Sequence, residues 1–171
     1  MMAPVVRRTW ALRGRTPIFR RTGRSHRKVS VIAALTVPPR RKRVGLYFSL
    51  YPDANITALR VRAFLRHLSR QVQKPLLVIW DRSNTHRAKL MNRHFARAKR
   101  MHRDHFPPYA PELNPVEMFW SYLKCNPLAN FAAPDLDTLF RSTRYHATRL
   151  RSRKELLRSF LYATPLFSRP D

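Results

Sequence analysis

The chain has 171 residues, one cysteine, and 35 Lys and Arg against 9 Asp and Glu, a formal charge of +26. A field of that sign repels itself and attracts polyanions, so the first expectation is a nucleic-acid partner. The lone cysteine excludes a disulfide framework or thiolate zinc cluster, the longest apolar run (29–37) is too short to cross a bilayer, and the 44% hydrophobic fraction excludes a disordered basic tail.

The first 52 residues contain no acid and many arginines, as an organelle transit peptide would. Such peptides are amphipathic helices, however, and this stretch carries Pro, Gly and strand-like runs. Val5 to Leu12, Arg27 to Val37 and Val44 to Leu50 predict a meander of three short strands, the second built on Val29, Val31 and Ile32. Arg13 to Pro17 supplies turn chemistry between the first two.

Ile56, Leu59, Phe64, Leu65, Leu68 and Val72 then recur at spacings of three and four. This predicts a helix capped by Asn55 or Asp53 and stopped before Pro75. The uninterrupted run Leu76 to Trp80 predicts a strand buried on both faces beside parallel neighbours. Asp81 closes it.

Helical spacing returns over Ala88 to Arg100. After a short segment at Met101 to Phe106 comes a loop stiffened by Pro107, Pro108, Pro111 and Pro115. Val116, Phe119, Trp120 and Leu123 place an apolar face on a helix that begins near Pro115. Glu117 lies in its first turn. Asp135 to Leu161 reads as largely helical and basic, and Trp10, Trp80, Tyr109 and Trp120 read as core or loop-packing residues. His102 and His105 have a metal-like spacing but no third histidine or cysteine in register.

The chemistry-bearing pair is Asp81, where α/β sheets place their ligands, and Glu117, beyond a loop rigid enough to hold a metal-ligand oxygen. On spacing alone, an aspartate placed like Asp81 is more often a turn residue or helix cap than a ligand, and Glu117 could simply complement a helix dipole.

The blocks Val78-Ile79-Trp80-Asp81-Arg82-Ser83-Asn84-Thr85-His86-Arg87 and Pro107-Pro108-Tyr109-Ala110-Pro111-Glu112-Leu113-Asn114-Pro115-Val116-Glu117-Met118-Phe119-Trp120 resemble the catalytic core of DDE transposases. The likeness is to the mariner-related bacterial insertion-sequence superfamily, the DDE superfamily endonucleases. Arg7 to Ala11, Arg15 to Pro17 and the strand at Val29 to Leu35 resemble that family's opening hairpin. The resemblance implies an α/β, RNase H-like mixed sheet flanked by helices, and three acids holding two Mg²⁺ or Mn²⁺ ions. It further implies DNA cleavage and strand transfer on transposon ends and target. Carried over by position, Asp81 is the second acid and Glu117 the third, with His86 and Asn114 orienting the site.

The first acid should lie on a leading strand just upstream of the Arg-Thr-Trp motif, where this sequence leaves no room. The expectation is therefore an N-terminally truncated catalytic domain over residues 1–130, lacking its leading central strand, with a basic helical extension over 131–171. Such a chain should be marginally stable and inactive alone. It would be cytoplasmic and nucleoid-associated, off the membrane, acting as a homodimer or with a complementing upstream fragment. The competing reading is a non-catalytic, basic nucleic-acid-binding protein of ribosomal type.

Overall fold

The computed structural model describes residues 5–16, 18, 27–39 and 43–167. Strands β1 (Val29–Thr36) and β2 (Gly45–Pro52) form an antiparallel hairpin in which Val29 faces Pro52 and Thr36 faces Gly45. Helix α1 (Ala58–Val72) follows, then β3 (Leu76–Trp80), the single turn α2 (Asn84–Arg87), α3 (Lys89–Arg97) and β4 (Met101–His105). β3 and β4 run parallel, Leu76 beside Met101 and Trp80 beside His105. Helices α4 (Pro115–Cys125), α5 (Leu136–Ser152) and α6 (Lys154–Tyr162) complete the chain.

Two cores hold these elements. In one, Val44 and Leu46 pack with Phe119 and Leu123 of α4, Ala147 and Leu150 of α5, and Leu157, Phe160 and Leu161 of α6. In the other, Val61, Phe64, Leu65 and Leu68 of α1 pack with Trp80, Met91 and Met101. Ile32 and Ala34 of β1 and Tyr47 of β2 rest on this second core, as do Leu76 and Val78 of β3. Both two-stranded sheets therefore pack against this second core, most of which α1 supplies. They are separate sheets, and among the described residues no strand joins them.

Several expectations need correction. Val5 to Leu12 is not a strand. It is an exposed extended segment tied to Asn130, whose side chain accepts from the Arg7 amide (2.8 Å) and donates to the Arg7 carbonyl (2.9 Å). With no sheet to pack on, Trp10 is fully exposed rather than core. Tyr109 is also fully exposed, at a left-handed φ of 57°.

α1 is capped by Thr57, whose hydroxyl accepts from the Arg60 amide, and not by Asp53 or Asn55. Those two are engaged across the hairpin base, Asp53 with Arg27 and Asn55 with Lys28. β3 is buried on one face only. Leu77 and Ile79 are 62% and 42% exposed, because α1 and α3 cover the face bearing Leu76, Val78 and Trp80 and nothing described covers the other. β4, read as a nondescript segment, is a strand.

Candidate active site

β3 ends at Trp80, and Asp81 is the first residue beyond it. An aspartate there can fold its side chain back onto the amide two residues on, which ends the strand with a local turn. Asp81 does so: its Oδ1 accepts from the Ser83 amide at 2.9 Å. The same oxygen lies 2.7 Å from Nδ1 of His86, which the one-turn helix α2 carries back over the strand end. The imidazole stacks on Trp80, with centroids 4.2 Å apart and rings 5° from parallel. Phe95 meets the same indole edge-on at 5.4 Å.

The Asp81 side chain is 62% exposed. What burial it has opposes ionisation. The Ser83 amide, the charge of His86 and the side-chain hydrogen bonds from Ser83 and His86 outweigh it and hold the carboxyl below its ordinary value. It is a carboxylate at neutral pH, oriented through one oxygen.

The proline loop leaves from the same place. The Phe106 amide donates to the Trp80 carbonyl at 2.9 Å, and Nε of Arg82 donates to the Phe106 carbonyl at 3.4 Å. The loop passes through a 3₁₀ turn at Pro111–Leu113 and reaches Asn114, the N-cap of α4. Oδ1 of Asn114 accepts from the Val116 amide at 3.2 Å, and Pro115 supplies the first helical position, where a missing N–H costs nothing. Glu117 follows in the first turn, exposed.

The four residues singled out thus form two pairs. Asp81 and His86 are in contact; Asn114 and Glu117 share the head of α4. No hydrogen bond or ion pair joins the two pairs among the described residues. Sequence reading missed the Ser83 clamp and the stacking of His86 on Trp80. The first had a signal in the Asp-x-Ser spacing of an Asx-turn; the second depends on where α2 points, which no pattern of residues announces.

Carboxylates are hard oxygen donors of the kind Mg²⁺ and Mn²⁺ require. Yet no group of three or more His, Cys, Asp or Glu among the described residues is placed to hold a metal ion. His102 and His105 belong to no such group among the described residues.

These features define a class: a mixed α/β, RNase H-like fold with a carboxylate at the end of a parallel strand. The chain is similar to solved structures of the Mos1 mariner paired-end complex with Mn (TM-score 0.64, 16% identity, covering 95% of this chain and 48% of that one) and of the Mos1 transposase paired-end complex with left transposon end (0.64, 14%, 95% and 48%). The Mos1 strand transfer complex is similar at a TM-score of 0.52 and 17% identity, over 92% of this chain and 50% of that one. The chain spans about half the length of these proteins. No curated protein sequence matches it. The family model described as DDE superfamily endonuclease matches residues 2–140, and the chain belongs to that family.

Proposed function

We propose that this chain is the greater part of a DDE transposase catalytic unit, acting on DNA, in which Asp81 and Glu117 are two of the carboxylates that hold a divalent metal. The observation that carries this reading is the Asp81 carboxylate, ionised and clamped through Oδ1 at the end of β3, beside the start of the loop that leads to Glu117. Ser83 and His86 fix its orientation, and Asn114 fixes the start of the helix that bears Glu117. When bound, Mg²⁺ or Mn²⁺ would activate a water or 3′-hydroxyl and stabilise the leaving oxygen of an in-line phosphoryl displacement.

A further carboxylate has to come from outside the described residues. Two separate half-sheets resting on one core, each with an unpaired edge, support its arrival on a strand that bridges β1 and β3. Unsatisfied strand edges also favour capture of such a segment. The unit would then act as a dimer or with a complementing fragment, on DNA in the bacterial cytoplasm. Among the described residues no helix is long and apolar enough to cross a membrane.

Trp80 touches His86 and adjoins Asp81, so its fluorescence reports on the site. Mn²⁺ should quench it in the native chain and not in Asp81→Ala. Quenching that survives the substitution would favour a basic binding protein of ribosomal type. Nicking of supercoiled plasmid by the chain alone, lost in Asp81→Ala, would overturn the need for an outside acid.

A further inference from the structure

At the opposite end of the parallel strands from Asp81, a cleft of about 330 Å³ opens between the last turns of α1, the end of α3 and the start of β4. Its walls carry Arg66, Ser69 and Arg70 from α1, His94 from α3, and Lys99 and Arg100 from the connection into β4. Ala98 and the buried Met101 contribute the apolar part of the lining.

Several features of this cleft suit an anion. No acidic residue lines it, and none of its four Arg and Lys side chains forms an ion pair among the described residues. Arg66 and Lys99 donate no side-chain hydrogen bond there either, so their charged heads are held by nothing among the described residues. His94 is in the same position: Nε2 is buried with no hydrogen-bond partner among the described residues. Four like charges gathered around one concavity repel each other, a cost that a bound anion removes.

We infer that this cleft is a binding site for a backbone phosphate of nucleic acid, separate from the carboxylate site. Arginine forks and a lysine around a cleft match tetrahedral phosphate oxygens, and Ser69 adds a hydroxyl donor. Leu76 and Met101 stand at one end of the strand pair, Trp80 and His105 at the other, so the cleft lies about 13 Å from the Asp81 end at roughly 3.3 Å per residue. That is roughly four nucleotide steps along one DNA strand at about 3.4 Å each. A phosphate here positions the duplex without being the one that reacts. The inference rests on the reading of the chain as acting on nucleic acid, but not on the metal site.

The test is binding of a fluorescent duplex by the full chain in EDTA, across a range of NaCl concentrations. In the double variant Arg66→Gln/Lys99→Gln the slope of log K against log salt should shrink by about 0.9, one phosphate contact on duplex DNA. Arg144→Gln/Arg151→Gln on α5 removes the same charge elsewhere and should leave the slope within error of native. Equal losses in both double variants would reduce the effect to net charge and overturn the site. An unchanged slope in Arg66→Gln/Lys99→Gln, with native circular dichroism, would also overturn it. So would an NMR shift of the His94 ring produced by inorganic phosphate at matched ionic strength but not by the duplex, which would assign the cleft to free phosphate. Loss of Mn²⁺ quenching leaves this outcome untouched, so the two readings fail separately.

Discussion

A carboxylate that must hold a metal needs a fixed direction, and an exposed aspartate has none of its own. At Asp81 the direction comes from the Ser83 amide and His86 Nδ1 converging on Oδ1. The imidazole is in turn held flat against Trp80, itself 8% exposed and braced by Phe95. The chain of support runs from a core indole to a solvent-facing oxygen. Groups that orient a metal ligand are commonly worth about 10- to 100-fold in metal affinity. If Asp81 is a metal ligand, His86→Ala should therefore raise the Mn²⁺ concentration needed for half-maximal quenching of Trp80 by roughly that factor. His86→Asn, which returns a donor near the place of Nδ1, should recover part of it. If both variants bind Mn²⁺ like the native chain, His86 is only a packing residue for Trp80.

The same separation of roles appears at the level of elements, where α4 carries Glu117 but Asn114 decides where α4 begins. Its side chain satisfies the Val116 amide, and Pro115 then starts the helix in the correct φ. Asn114→Ala should cost about 0.5–2 kcal/mol of stability, as N-cap removals do, read as a lower urea midpoint. If Glu117 is a ligand, the variant should also weaken Mn²⁺ quenching under conditions where it remains folded; a stability loss with unchanged quenching would separate the cap from the site. This helix start was legible in the sequence because its signal is local, an Asn-Pro pair ahead of an apolar face. α1 was legible for the same reason, though its cap was misassigned because cross-hairpin contacts claim Asp53 and Asn55. β4 was not. Met-His-Arg-Asp-His carries no β-branched residue and only one large apolar side chain, so its strand character comes from pairing with β3 rather than from its own residues. The reading of β3 failed in the other direction. An unbroken apolar run announces burial on two faces, whereas here one face is covered and Leu77 and Ile79 remain open. The exposure of Trp10 has the same kind of cause: whether Val5 to Leu12 forms a strand depends on a partner edge, which lies outside its own pattern.

Across the whole molecule the dominant fact is the charge of +26, with few carboxylates to relieve it. The histidines record that field. Burial and then Arg62 and Arg66 depress His94; burial and then Arg103 and Arg82 depress His105 against the pull of Asp104; burial and then Arg149 depress His146. Each is therefore held neutral in the folded chain at a pH where its unfolded counterpart, near 6.5, already takes up a proton. The unfolded state binds more protons over that interval, so stability rises with pH and falls on acidification. The loss begins as pH drops through 6.5 and is complete only below the depressed folded values. Self-repulsion acts in the same sense, since every added proton increases a positive charge that salt or a polyanion would screen. The urea midpoint should thus fall between pH 7.5 and 5.5. The fall should be shallower in His94→Gln/His146→Gln, which removes two of the three titrating groups, and shallower again in added NaCl. A midpoint that is flat or rises over that interval would show that the histidines gain compensating anionic partners on folding, and that the basic surface does not set the stability of the chain.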